Sequence, residues 1–182
     1  SGRVTRMRTE FRLSGSGGQG LLLAGIVLAE AAILDDKNAV QTQSYGPEAR
    51  GGASKAEVVI SDEDIDYPKA QDPDFLLALT TEAFKTYGSV MKKGTIVIDA
   101  HITDTIETKA TIVKIPILET ASKELGKAVV ANAVALGALA GISGIVPLDK
   151  LENAIVNRVP KGTEDLNLRA VRKGFELAKQ AR

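Results

Sequence analysis

Two hydrophobic periods alternate along this chain, and each change of period marks a change of element. Thr9 to Ser14 alternates apolar with polar residues and runs into a glycine cluster, the pattern of a strand entering a tight turn. Gln19 to Leu34 is apolar nearly all round at helical length, interrupted only by Glu30, which predicts a buried helix. Asn38 to Gln43 predicts a short strand, and Ser44 to Gly52, with Gly46, Pro47, Gly51 and Gly52, predicts a loop. The β-branched run Lys55 to Ile60 predicts a strand, and the acidic stretch Asp62 to Asp74, with two prolines, a loop. Phe75 to Leu79 is continuously apolar between Pro73 and Thr80, as expected of a strand covered on both faces. Thr81 opens a predicted helix reaching Val90, with Glu82 in its first turn. Thr95 to Ile98 reads as a strand stopped by Asp99, and Thr108 to Ile115 as a strand closed by Pro116. The rest is helical: Glu119 to Leu125, Asn132 to Gly141, Leu148 to Asn157, and Thr163 to Gln180. The last of these carries an apolar face at Leu168, Val171, Phe175 and Ala178.

Strands alternating with helices imply a three-layer α/β/α fold built on a mostly parallel, Rossmann-like sheet, followed by a helical C-terminal third. No linker-like stretch divides the chain, so residues 9–182 are expected to form one domain. Residues 1–8 form an N-terminal tail whose Ser1 and Gly2 read as an expression-tag remnant.

Composition narrows the functional classes. Lys plus Arg and Asp plus Glu each number 23, and no basic stripe interleaves with aromatics, which argues against nucleic acid as a partner. There is no cysteine, so the chain holds no iron–sulfur cluster through thiolates, and the single histidine, His101, argues against zinc sites and Ser-His-Asp triads. No apolar run has the length of a membrane span and no signal-peptide pattern stands at the N-terminus, so a cytoplasmic protein is expected.

The sharpest local signal is Gly15-Ser16-Gly17-Gly18-Gln19-Gly20 between a predicted strand and a predicted buried helix. Glycines allow a tight turn and close approach of a ligand, and the helix N-terminus offers free N–H groups to a phosphate. A nicotinamide dinucleotide would also call for an acid at the end of the second strand, where Gln41 to Ser44 supplies none. Two readings stay open: a phosphate-type ligand, or glycines that serve close strand–helix packing alone. The second candidate is Ser44, Tyr45, Gly46, Glu48, Arg50, Gly51 and Gly52, a loop of hydroxyls, glycines and one guanidinium expected beside the first. Arg50 could clamp a phosphate or carboxylate, or pair with Glu48. His101 has no partner nucleophile in sequence and reads as structural, and Asn132 reads as a helix cap.

These residues also carry a resemblance. Leu13 to Gly20, Gln41 to Ser54, Glu57-Val58-Val59-Ile60-Ser61, Ile65-Asp66-Tyr67-Pro68, Asn132, Gly137 and Gly141 together resemble the gamma subunits of 2-oxoacid:ferredoxin oxidoreductases. The 2-oxoglutarate-type branch is the nearer match. The likeness spans about residues 9 to 178 and is most specific at Ser44 to Gly52; the family's loop often reads Gly-Phe-Gly-Gly-Gln-Gly, where this chain has Ser16.

The resemblance implies an accessory subunit, inactive alone, of an assembly that oxidatively decarboxylates a 2-oxoacid to its acyl-CoA and reduces ferredoxin. It places thiamine diphosphate, magnesium and iron–sulfur clusters in alpha-, beta- and delta-type partner subunits. It implies phosphate-side contact with coenzyme A through Gly15 to Gly20, a Ser44 to Gly52 loop that faces either the thiamine-bearing subunit or the coenzyme, no catalytic residue, and an apolar docking face through which isolated chains could pair as a homodimer. The competing reading is a stand-alone nucleotide- or coenzyme-binding protein that uses the glycine loop.

Overall fold

The computed structural model describes residues 7–15, 18–44 and 54–181. In chain order the elements are β1 (Arg8–Gly15), α1 (Gly18–Leu34), β2 (Asn38–Ser44), β3 (Ser54–Ser61), β4 (Phe75–Ala78), α2 (Thr81–Ala83), β5 (Thr95–Asp99), β6 (Thr111–Ile115), α3 (Ile117–Glu119), α4 (Ala131–Ser143), α5 (Leu148–Val156) and α6 (Glu164–Gln180). Both α2 and α3 run on into wider π-helical turns, Phe84–Gly88 and Thr120–Glu124. The helix expected to reach Val90 therefore ends at Gly88. The strand expected from Thr108 begins at Thr111, because Thr108 turns away to donate its hydroxyl to the Gly88 carbonyl at 2.8 Å.

The six strands form one sheet in the order β2-β3-β1-β4-β5-β6. β1, β4, β5 and β6 pair in parallel, and β3 runs antiparallel to both of its neighbours. The sheet is mostly parallel, as expected, and its one reversed strand is β3. The link between β2 and β3 is residues 45–53, too short for the crossover that parallel pairing demands.

The pairing register fixes which side chains share a face. Phe11 and Leu13 of β1 lie with Ala56, Val58 and Ile60 of β3 and with Leu77 and Val97, and this face is covered by α1 and the C-terminal helices in the main core. The opposite face is mainly apolar over β4 and β5, where Leu76, Ala78, Ile96 and Ile98 pack against Phe84, Tyr87 and Ile102 in a smaller second core. Over β1 and β3 that face is charged: Arg8, Glu10 and Arg12 stand beside Lys55 and Glu57. A loop covers them there. Glu10 Oε1 accepts the N–H groups of Gln71 and Asp72 at 2.8 and 2.9 Å, and Asp74 Oδ2 accepts the Glu10 N–H at 2.8 Å. The sandwich is three-layered but lopsided, with one short helix on its thin side.

The C-terminal helices pack at backbone distance. A Cβ on Gly174 of α6 would stand 1.9 Å from the Val134 carbonyl oxygen of α4, and one on Gly137 would stand 2.1 Å from the Val171 carbonyl oxygen. The buried face of α6 is accordingly Ala170, Val171, Gly174 and Ala178. Leu168 and Phe175, expected on that face, are half-buried at its margins. Small residues win the centre because the helices approach too closely for larger ones.

Candidate functional site

β1 leads to α1 on the thick face of the sheet, whereas β4 leads to α2 on the thin one. The strand order reverses between these neighbours, and such a switch point opens a crevice beyond the strands' carboxyl ends. The glycine motif stands at that crest. β1 ends at Gly15 and α1 begins at Gly18, so the motif joins a strand to a helix N-terminus as its spacing predicts. Ser16 and Gly17 lie outside the described residues, as does the side chain of Gln19.

The strand ends that flank the second predicted loop pair beside the end of β1. Gly15 pairs with Ser54, and Lys55 pairs with Ser14 on one side and with Ser44 on the other. Two side-chain bonds pin the junction: Ser14 Oγ donates to the Ser54 carbonyl at 2.7 Å, and Ser54 Oγ donates to the Gly15 carbonyl at 3.2 Å. Gly15, Ser44 and Ser54, the described residues next to these two segments, therefore stand at adjacent strand ends. Tyr45, Gly46, Glu48, Arg50, Gly51 and Gly52 lie outside the described residues.

Gly20 shows why this helix starts with glycines. A Cβ there would stand 1.9 Å from Asn132 Nδ2, in the first turn of α4. Asn132 is thus no helix cap: the cap position is Val130, which makes no side-chain bond, and the Asn132 carboxamide lies over the first turn of α1. It has no hydrogen-bond partner among the described residues. Beside it a cavity of about 550 Å³ opens between α1, α4, α5 and α6, lined by Gly20, Leu23, Val27, Asn132, Leu136 and Asn167 among others. Its lining is predominantly apolar, suited to an uncharged group, and its volume is that of a small-molecule pocket. Asn167 is already engaged, donating to the Thr163 carbonyl at 3.0 Å, so of the two amides lining the cavity Asn132 is the one without a partner among the described residues.

On the thin face, the crest is backed by charge. Arg12 Nε donates to Glu57 Oε2 at 2.8 Å, and Lys55 Nζ stands 3.7 Å from the same oxygen. The Arg12 guanidinium carbon lies 5.4 Å and the Lys55 nitrogen 5.9 Å from the centre of the Tyr87 ring, both within cation–π range. Sequence reading passed over this cluster because its members are far apart in the chain and meet only through strand pairing.

His101 stands at the end of β5 beside Asp99. The buried Asp99 carboxylate accepts the backbone N–H of His101 and that of Leu118, each at 2.8 Å, and also meets His101 Nδ1. Asp99 thereby ties the end of β5 to the start of α3. No group of three or more His, Cys, Asp or Glu side chains is placed to hold a metal ion among the described residues, and none of their helices is long and apolar enough to cross a membrane. The exposed large apolar side chains include Ile33, Leu34, Tyr67, Val90, Ile112, Leu118 and Val129, contributed by separate segments.

Comparison with known proteins gives this geometry a context. The family model described as pyruvate ferredoxin/flavodoxin oxidoreductase matches residues 10–177. The chain is 52% identical to the 2-oxoglutarate synthase subunit KorC of Methanocaldococcus jannaschii over 98% of each chain. It is 32% identical to the pyruvate synthase subunit PorC of Methanothermobacter marburgensis, over 94% of this chain and 98% of that one. The crystal structure of a keto/oxoacid ferredoxin oxidoreductase gamma subunit from Geobacter sulfurreducens superposes with a TM-score of 0.86 at 44% identity, covering 96% of this chain and 98% of that one.

Proposed function

The chain belongs to the pyruvate ferredoxin/flavodoxin oxidoreductase family, and on that premise we propose that it is the gamma-type subunit of a 2-oxoglutarate:ferredoxin oxidoreductase. The observation that carries the reading is the end-to-end likeness to 2-oxoglutarate synthase subunits, well above the likeness to a pyruvate synthase subunit of similar length. The assembly decarboxylates its oxoacid on thiamine diphosphate, passes two electrons through iron–sulfur clusters to ferredoxin, and delivers the acyl group to coenzyme A. With no cysteine, this chain supplies no thiolate for a cluster, and the redox centres belong to the partner subunits. Alpha-, beta- and delta-type chains are the proposed partners.

The chain's own contribution is the crest. Gly15, Ser16, Gly17, Gly18, Gln19 and Gly20 would present backbone N–H groups and the α1 N-terminus to phosphate. Ser44, Tyr45, Gly46, Glu48, Arg50, Gly51 and Gly52 would close over the coenzyme or meet the thiamine-bearing subunit. The switch-point position, the paired strand ends and the Asn132 amide, which has no partner among the described residues, support this role.

The test is reconstitution. The three partner subunits are purified with and without this chain, and reduction of ferredoxin is followed with 2-oxoglutarate and coenzyme A. Full activity only in the presence of this chain, with 2-oxoglutarate preferred over pyruvate, is the expected result. A complex equally active without it, or one that prefers pyruvate, would sink the proposal. A stand-alone coenzyme-binding protein would fail to co-purify with those subunits at all.

A further inference from the structure

The sheet ends at β6, and the outer edge of β6 is open. Thr111 donates its N–H to the Gly94 carbonyl and Ile115 accepts the Ala100 N–H, each at 2.9 Å, so the backbone groups of Thr111, Val113 and Ile115 face β5. Those of Ile112 and Lys114 point outward and bond to no described residue. Two N–H groups and two carbonyls thus stand in a row at strand spacing with nothing described opposite them, which is the template for an added strand. The other edge is dressed differently. Along β2 the Gln41 side-chain amide lies 3.4 Å from the Thr42 carbonyl and 3.0 Å from the Gln43 side-chain oxygen.

Apolar surface gathers beside the open groups. Ile112 is 39% exposed, and Leu118, just past the strand's end, is 38% exposed. Val90 is half exposed and lies two residues from Gly88, whose carbonyl accepts the Thr108 hydroxyl ahead of β6. Charge then selects the occupant. Thr108 to Leu118 contains Lys109 and Lys114 and no carboxylate, and neither lysine is ion-paired with a described residue. A second copy on this edge would bring two lysines from each side and no acid from these segments, and an edge lysine is a common guard against such self-pairing. A strand with a carboxylate opposite Lys114 meets the same edge with attraction.

We infer that β6 is a docking edge for an extended segment of a partner subunit, apolar where it meets Ile112 and acidic where it meets Lys114. This rests on the reading of the chain as a subunit and names a surface through which it joins its assembly. Main-chain bonds to Ile112 and Lys114 hold the incoming strand, and Lys114 discriminates between an acidic segment and a second copy.

Two variants test the edge without touching the ladder inside the fold. Ile112→Pro removes an outward N–H that no described residue uses, a position where a strand tolerates proline. Lys114→Glu reverses the selecting charge. Each variant, its folding checked by thermal melting, is mixed with the purified partner subunits, and association is followed by analytical ultracentrifugation. Both should weaken association roughly tenfold or more, and Lys114→Arg should keep most of it. Hydrogen exchange resolved to single amides needs no variant: the Ile112 and Lys114 N–H groups should exchange freely in the isolated chain and slow at least about tenfold on assembly. Should Ile112→Pro fail to fold, Lys114→Glu and the exchange measurement decide. A wild-type assembly in which those two amides still exchange freely, or variants that assemble as well as the wild type, would overturn the docking edge and leave the subunit reading in place. Failure of the wild-type chain to assemble at all would remove both. A dimer of the isolated chain that Ile112→Pro dissolves would make a second copy the occupant and overturn the acidic segment.

Discussion

Ser14 and Ser54 exchange hydrogen bonds across the β1–β3 pair, the Ser14 hydroxyl to the Ser54 carbonyl at 2.7 Å and the Ser54 hydroxyl to the Gly15 carbonyl at 3.2 Å. Ser14 is fully buried. The bonds hold the start of the glycine loop against the end of the 45–53 segment, so two loops distant in sequence share one foundation. Ser14→Ala should cost about 1 kcal/mol of unfolding free energy, the net worth of one such bond. Hydrogen exchange at Gly15, Ser54 and Lys55 should also quicken. Unchanged exchange there, measured by mass spectrometry, would show that the ladder alone holds the junction.

The contact of Gly20 with Asn132 predicts a change of sign. In the wild-type background Gly20→Ala drives a methyl group into the Asn132 amide and should destabilise the chain by about 1 kcal/mol. In an Asn132→Ala background the clash is gone and the helix preference for alanine remains, so the same change should stabilise by roughly 0.5–1 kcal/mol. A double-mutant cycle by urea unfolding reads the coupling directly. Equal effects in the two backgrounds would refute the contact.

The α4–α6 interface should be far less forgiving. A Cβ on Gly174 meets the Val134 carbonyl oxygen at 1.9 Å and the Ala138 nitrogen at 2.8 Å, both backbone atoms that no rotamer change can move. Gly174→Ala should cost about 3 kcal/mol, at the upper end of overpacking penalties. Gly25→Ala is the control. Its added Cβ would meet only side-chain atoms at 3.4 Å or more, and its effect should stay within about 1 kcal/mol. Denaturant midpoints for the two variants decide the matter.

Lys93 carries a small alkaline dependence. Its side chain hydrogen-bonds Asp74, with Coulomb attraction from the same carboxylate adding to this and burial opposing it, and its pKa is raised above the ordinary 10.5. A raised lysine stabilises the fold fully below its unfolded value, and that contribution is lost as pH climbs through the folded value. With half of the side chain exposed, solvent screens most of the effect. Lys93→Gln should therefore leave stability near neutrality almost unaltered and slightly flatten its fall above pH 10.5. A large loss at neutral pH would contradict the exposed geometry.

Much of the fold was readable before the structure. The alternation in Thr9 to Ser14, the unbroken apolar run before Thr80 and the three-and-four spacing after Thr163 each place an element within a few residues of its observed span. The glycine motif was found with its strand and helix in place, because glycine's demands are local and visible in spacing alone. The reversal of β3 is legible in the short link after Ser44, which is shorter than a parallel crossover requires. The role of Asn132 was not, since an amide at a helix start has the same local signature whether it caps its own helix or covers another one.

By itself, then, the sequence determined the kinds and order of elements, the absence of thiolate chemistry and the position of the glycine loop. All of these follow from residue type and period along one chain. Tertiary structure alone decided that Ser14 meets Ser54, that Gly20 lies under Asn132, that Gly174 touches the α4 backbone, and that Lys55 joins Arg12 at Glu57. Each is a contact between segments separated by tens of residues, and periodicity says which face an element buries without saying which neighbour it buries it against.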